Sequence, residues 1–113
     1  MNKTREVLLK AAELLETKGW TQKEYARDAM GRPTGTLSPD AACYCLMGSI
    51  YAAGDQLEVD IYGEQVVEKV RAQLPYSTIP RFNDAAIPRF NDAVERTKEE
   101  VIAVLKAAAE ECK

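Results

Sequence analysis

The sequence SPDAACYCLMGSIYAAG, residues 38–54, decides the fold that we predict. Its start, Ser38-Pro39-Asp40, combines a hydroxyl N-cap, a proline in the first turn and a carboxylate near the positive end of the helix. After this start the polar groups are Ser49 and two tyrosine hydroxyls, until Gly54 supplies a stop signal. A helix that is apolar on every face belongs in the middle of a bundle. The sequence therefore predicts a buried central helix over Ser38–Ala53.

Three further helices are predicted around it. An amphipathic stripe over residues 4–18 predicts the first helix, and Gly19 after it is a typical C-terminal stop. Apolar residues at helical spacing predict another helix over Asp60–Leu74, which Pro75 ends. The sequence TKEE forms a capping box at the start of the last helix, residues 97–111.

The sequence therefore predicts a mainly α, compact, four-helix single domain over residues 1–113. Residues 21–37 contain glycines and a proline without a helical period, so we expect a loop there, with a small hairpin near residues 23–34 as an option. The other connection, residues 75–96, is predicted to be one long loop.

A tandem repeat occupies that long connection. Ile79–Ala86 reads IPRFNDAA and Ile87–Val94 reads IPRFNDAV, so the two copies are identical at seven of eight positions. An insertion of eight residues would shift the register of a helix or strand, whereas a surface loop absorbs it. The repeat therefore favours a surface loop and carries little information about chemistry.

The composition limits the classes of protein. The chain has 113 residues, 46% hydrophobic and 29% charged, which is typical of one globular domain. A net charge of −3 argues against nucleic acid as a main partner. The sequence lacks the stretch of about 20 apolar residues that a membrane span needs, and its polar start does not resemble a signal peptide. We expect a cytoplasmic protein without a nucleic-acid or membrane partner.

The absence of histidine limits the chemistry further. It excludes Ser–His–Asp and Cys–His catalysis and any histidine-ligated metal. Cys43 and Cys45 lie two positions apart in the predicted helix, so they would point about 200° apart and could not hold one ion together. Cys45 is expected to be a small buried residue. The sequence predicts no metal, no cofactor and no catalytic residue, and it favours a protein that is not an enzyme.

Two polar clusters are candidates for a binding site. The Arg27–Asp28 pair could hold a substrate anion beside a general base, or it could form a salt bridge or an Asx turn in a loop. The Asn91–Asp92 pair could orient a ligand, or it could supply the turn before a helix. The candidate binding residues are Trp20, Gln22, Arg27, Asp28, Asn91, Asp92 and Arg96.

Four motifs occur in order along the chain: GWTQ at 19–22, ARDAMGRP at 26–33, CLMGSI at 45–50, and FND at 90–92 followed by RTKEEV. With these motifs the chain resembles a family of small uncharacterised bacterial and bacteriophage proteins, a domain of unknown function. The resemblance implies a phage, prophage or accessory-gene setting and names no reaction. It also implies that the second copy of the repeat has the native position, with Phe90 where the family usually has tryptophan.

These observations lead to three functional hypotheses. The leading one is a non-enzymatic binding protein that acts through a protein partner. The first alternative is a small-molecule site for an anionic ligand, binding or catalytic, built from Arg27, Asp28, Asn91, Asp92 and Arg96. The second alternative is a structural module that self-associates as a homo-oligomer.

Overall fold

The computed structural model describes residues 2–75 and 86–112, which are mainly helical with one small two-stranded sheet. The first helix, α1, is Lys3–Thr17, and the side chain of Asn2 caps it by accepting a hydrogen bond from the Arg5 amide at 3.0 Å. The predicted apolar stripe is buried, and α1 packs against both α2 (Leu46–Leu57) and α5 (Lys98–Glu110). The prediction of the first helix is confirmed.

The sheet joins two parts of the chain that are distant in sequence. Strand β1, Ala26–Arg27, pairs antiparallel with β2, Cys43–Tyr44. A tight turn after β1 brings Arg27 beside Pro33 in an antiparallel bridge, which corresponds to the small hairpin expected near residues 23–34. The main pairing of β1 is nevertheless with β2, a segment that the sequence predicted to be helical.

The predicted start of the central helix is wrong. The structure begins α2 at Leu46, because β1 uses the backbone of Cys43 and Tyr44 and Cys45 becomes the N-cap. The Ser38 hydroxyl instead accepts a hydrogen bond from the Asp40 amide in a turn outside the helix. The helix also continues past Gly54 and ends at Leu57.

The predicted burial of α2 is confirmed in the part that is helical. From Leu46 to Gly54 every residue is buried except Tyr51, which is partly exposed. The central position, however, belongs to α1, which packs against α2, α5 and the short helix α3, Val66–Arg71. The prediction of Asp60–Leu74 as one helix is wrong at its start, because the residues before α3 form turns that end with Gln65 in the left-handed region at φ 59°.

The helix α4, Ala86–Asp92, consists of the last residue of the first copy of the repeat and the first six residues of the second copy. Ala86, Ile87, Phe90 and Asn91 are buried, because their spacing places them on one face of a helical turn that packs against α2 and α3. The prediction of a loop over residues 75–96 is therefore wrong for this part. Most of the first copy, residues 79–85, lies outside the described residues.

The last helix, α5, has the predicted capping box. The Thr97 hydroxyl accepts from the Glu100 amide, and the Glu100 carboxylate accepts from the Thr97 amide. Counting α4, the described part of the chain contains five helices instead of the four predicted. None of the helices described is long and apolar enough to cross a membrane.

Candidate functional site

The candidate residue Asn91 lies at the end of α4, where it joins three segments of the chain. Its Oδ1 accepts hydrogen bonds from Trp20 Nε1 at 2.6 Å and from the Leu46 amide at 2.9 Å. Its Nδ2 donates to the Thr21 carbonyl at 3.0 Å and to Asp92 Oδ1 at 2.9 Å. Asn91 is almost fully buried, and these four bonds use the whole donor and acceptor capacity of its amide. We call this set of contacts the Asn91 junction.

Gln22 and Asp92 complete the junction. Gln22 Nε2 donates to the carbonyls of Asn91 and Ala93, at 2.9 and 3.0 Å, which caps the end of α4. Asp92 Oδ1 accepts from the Lys23 amide at 2.8 Å. The structure thus brings together four of the seven candidate residues, Trp20, Gln22, Asn91 and Asp92, and each of them connects the segment after α1 to α4.

Arg27 supports the same segment from the other side. Its Nε donates to the Thr21 hydroxyl at 2.8 Å, and its terminal nitrogens donate to the carbonyls of Gly31 and Gln22. A guanidinium group that is bonded to one hydroxyl and two carbonyls within its own loop has few donors left for an anion. Arg27 therefore holds the loop that carries Trp20 and Gln22.

Asp28 shapes the turn that follows β1. Its Oδ1 accepts from the amides of Met30 and Arg32, both at 2.9 Å, and its Oδ2 pairs with Arg32 Nε at 3.0 Å. The Arg32 amide, with further help from the Met30 amide and the Arg32 guanidinium, holds the pKa of Asp28 below its usual value. This is the Asx-turn alternative that the sequence left open, and a carboxylate with a lowered pKa is a weak general base.

Arg96 lies in the short connection between α4 and α5, directly before the N-cap Thr97. Its Nε donates to the Phe90 carbonyl at 2.8 Å, and its guanidinium carbon lies 3.8 Å from the centre of the Phe90 ring. Its terminal nitrogen also pairs with Glu100 at 3.3 Å. Arg96 thus ties α4 to the start of α5 through a carbonyl, a ring and a carboxylate.

Cys45 is the N-cap of α2 and not a residue inside a helix. Its Sγ accepts a hydrogen bond from the Gly48 amide at 3.2 Å, and burial raises the pKa of its thiol. A buried neutral thiol is a poor nucleophile. The expected small buried residue is confirmed, with a capping role that the sequence did not indicate. No group of three or more Cys, Asp or Glu among the residues described could hold a metal ion.

A groove lined by tyrosines begins beside the Asn91 junction. Tyr25, Tyr51 and Tyr62 form a row in which neighbouring ring centres lie 5.7 and 6.5 Å apart, and the hydroxyls of Tyr51 and Tyr62 are 2.8 Å apart. This hydrogen bond, with a smaller effect of burial, raises the pKa of Tyr51 to about 12. The tyrosine groove, as we name it, is lined by Tyr25, Met47, Tyr51, Tyr62, Val67, Arg71, Ile87 and Pro88.

The groove continues into a second cavity next to the junction. Tyr25, Met47 and Pro88 line both cavities, whose volumes are about 180 Å³ at the tyrosine end and about 240 Å³ at the junction end. The junction end is also lined by Lys23, Glu24, Cys45, Asn91 and Asp92. Both ends of this surface therefore combine apolar side chains with charged ones.

Sequence reasoning did not identify the tyrosine groove. Its three rings come from the segment after α1, from α2 and from the turn before α3, so they share no sequence period. The observation that draws attention to these residues comes from the structure: the side chains of Tyr25 and Tyr62 are 52% and 58% exposed. Large aromatic side chains at that level of exposure are candidates for a binding surface once they are found to be adjacent.

Comparison with known proteins identifies a family whose function is unknown. The model of a family of unknown function, DUF6197, matches residues 1–111. No curated protein and no solved structure is similar enough to match the chain. Because the family match spans almost the whole sequence, this protein belongs to the family of unknown function DUF6197.

Proposed function

We propose that the protein is a non-enzymatic binding protein that holds an extended, apolar segment of a partner protein in the tyrosine groove. The observation that carries the proposal is the row of Tyr25, Tyr51 and Tyr62, two of them exposed by more than half, beside Met47 and Pro88. Tyrosine, methionine and arginine are enriched in the cores of protein interfaces, because they bury much area and still offer a polar tip.

The layout of the groove suits a peptide segment. It consists of two depressions of about 180 and 240 Å³ that share Tyr25, Met47 and Pro88 as lining residues. They adjoin each other in a line, which suits an extended chain with successive side chains in successive depressions. Grooves lined by aromatic rings bind proline-containing segments in this manner.

The charged residues at the two ends supply orientation. Lys23, Glu24 and Asp92 line the junction end, and Arg71, which pairs with Glu68 at 3.2 Å, lines the tyrosine end. A partner segment with charges at its two ends and apolar side chains between them would match this arrangement, and the charges would set its direction.

The anionic-ligand alternative has less support. It requires Arg27 and Arg96 to offer their guanidinium groups to a ligand, but both groups donate to carbonyls of the protein. An anion would have to replace these bonds, and the carbonyls would then lose their partners. Among residues 2–75 and 86–112, no contact favours such a replacement.

A peptide display library, selected against the purified protein, tests the proposal. We expect enriched peptides whose affinity falls at least tenfold in Tyr25→Ala and Tyr62→Ala, since truncating an aromatic anchor at an interface typically costs more than about 1 kcal/mol. Met30→Ala and Leu37→Ala are matched controls, because these side chains are 78% and 62% exposed and line neither cavity of the groove. Equal binding by all four variants would contradict the proposal.

The setting and the oligomeric state belong to the same proposal. We infer a phage, prophage or accessory-gene protein from the resemblance in the sequence, and the neighbouring genes would test that inference. Sedimentation at several concentrations tests the self-association alternative. A dimer that Tyr62→Ala dissociates would mean that the groove binds a second copy of the chain instead of another protein.

A further inference from the structure

The site that holds α4 recognises particular atoms of the repeat. Trp20 Nε1 and the Leu46 amide bind the Asn91 side-chain oxygen, and the Lys23 amide binds the Asp92 carboxylate. Gln22 Nε2 binds the carbonyl of Ala93. Each of these groups recognises the Asn-Asp-Ala part of the second copy.

The apolar part of the site recognises the residues before it. Ile87 and Phe90 are 3% and 5% exposed, so both side chains are held in the core. All the residues with these polar and apolar contacts belong to the sequence Ile-Pro-Arg-Phe-Asn-Asp-Ala at residues 87–93. The same seven-residue sequence also occurs at residues 79–85.

We propose that the α4 site has two competing occupants in one chain, so that residues 79–85 can replace residues 87–93. The exchange would shift the chain by eight positions, which places Asn83 where Asn91 lies and Phe82 where Phe90 lies. Because the two segments are identical, every hydrogen bond that Trp20, Gln22, Lys23 and Leu46 make to residues 87–93 has a counterpart in the alternative state. Pro80 would take the position of Pro88 in the groove, so this inference does not depend on the proposed function.

The exchange would change the connections on both sides of α4. Moving the first copy into the site transfers eight residues from the connection before α4 to the connection after it. Three residues, 75–77, would then connect Leu74 to Thr78, a span of up to about 14 Å. The proposal requires the start of α4 to lie within this span of Leu74, and the packing of α3 against α4 is consistent with that requirement.

Two contacts decide which copy prevails. Arg96 binds the carbonyl and ring of Phe90 across a short connection, which favours the second copy. Ala86 is buried at the start of α4, and the first copy would place Thr78 there. The difference at the eighth position has little effect, since the Val94 side chain is 91% exposed. The second copy is therefore the major occupant and the first copy the minor one.

Four chains with the same background test the proposal: the parent, Asn83→Ala, Asn91→Ala and the double variant. Without exchange, Asn91→Ala leaves Trp20 Nε1 and the Leu46 amide without their acceptor, and the unfolding constant rises about a hundredfold. With exchange, the first copy replaces the damaged one, so we expect Asn91→Ala to raise the unfolding constant by less than about tenfold. Asn83→Ala should leave the unfolding constant unchanged. The double variant should show the whole increase of about a hundredfold, because neither copy then offers an asparagine to the site.

The indole resonance of Trp20 reports which copy is bound, because Trp20 is the only tryptophan in the sequence. Its Nε1 proton should keep its hydrogen-bonded shift in Asn91→Ala and lose it in the double variant. Removing residues 78–85 gives a chain with one copy, in which Asn91→Ala should behave like the double variant.

Equal stability and equal indole spectra for Asn91→Ala and the double variant would overturn the proposal, as would an unfolded Asn91→Ala. A double variant that does not fold, beside a folded Asn91→Ala, would support it. A folded Asn91→Ala that sediments as a dimer would show exchange between two molecules, which overturns the exchange within one chain.

Discussion

The Asn91 junction and the tyrosine groove adjoin each other, yet they use their polar groups in opposite ways. In the junction, Asn91 makes four hydrogen bonds to the protein and is almost fully buried. In the groove, Tyr62 presents more than half of its surface to solvent and bonds to another tyrosine. The comparison shows that Asn91 and Asp92 of the FND motif form contacts within the protein, whereas the three tyrosines of the groove lie outside the four sequence motifs.

The largest expected effect concerns Gly48, where the two regions meet. A Cβ at this position would lie 2.0 Å from the carbonyl oxygen of Tyr25, which is backbone and cannot rotate away. The same carbonyl accepts the Cys45 amide, so movement would also disturb the start of α2. We expect Gly48→Ala to lower the free energy of unfolding by about 3 kcal/mol, measured by urea denaturation.

Gly35 provides the control for this prediction. A Cβ there would have no neighbour within 4 Å, so Gly35→Ala should change the free energy of unfolding by less than about 0.5 kcal/mol. A similar decrease in the free energy of unfolding for Gly48→Ala and Gly35→Ala would mean that the close approach of Tyr25 to α2 does not require glycine at position 48.

Trp20→Phe should produce the next largest effect. It removes the indole donor to Asn91 Oδ1 but keeps the Leu46 amide on that oxygen and an aromatic ring against the core. We expect a loss of about 1–2 kcal/mol for the missing hydrogen bond and the smaller ring, again from urea denaturation. Tyr62→Phe, which removes a hydroxyl from the exposed groove, is the comparison. A larger loss for Tyr62→Phe than for Trp20→Phe would reverse the roles that we assign to the two regions.

Asp28 should make stability depend on acid pH. Its folded-state pKa is lowered from 3.8, chiefly by the Arg32 amide, so its contribution is present above the unfolded value and is lost as the pH falls through the folded one. The free energy of unfolding should decrease below about pH 4, and the decrease should be shallower in Asp28→Asn. If the free energy of unfolding falls equally steeply in the parent and in Asp28→Asn between about pH 4 and pH 2, the turn does not stabilise the Asp28 carboxylate in the folded state.

Local sequence signals predicted the elements that depend on local contacts. The capping box at Thr97 and the stripe of α1 each involve residues within a few positions of one another. The start of α2 was mispredicted because Ser38-Pro39-Asp40 carries good local signals, while pairing with β1 takes Cys43 and Tyr44 into a strand. That pairing joins residues 16 to 18 positions apart, and no local pattern indicates it.

The candidate site shows the same limit. The structure brings four of the seven candidate binding residues together, in hydrogen bonds within the protein: Trp20, Gln22, Asn91 and Asp92. Their partners could not be inferred from the sequence, and the partners determine that they serve the fold. The helix α4 was missed because the tandem repeat was interpreted as an insertion within a surface loop. Only one of the two copies has to be the insertion, and the other can form a helix.

The smallest expected effect follows from that last point. Deleting residues 78–85 leaves every contact among the described residues in place, including buried Ala86 at the start of α4. The sequence alone would have suggested deleting 79–86, which removes Ala86 and places Thr78 at a buried position. Shortening the connection between α3 and α4 lowers the entropy cost of closing it, so we expect the shorter chain to be more stable by roughly 0.5 kcal/mol. Differential scanning calorimetry of both chains measures this. A loss above about 2 kcal/mol would mean that the first copy makes packed contacts of its own while the second copy is in its site.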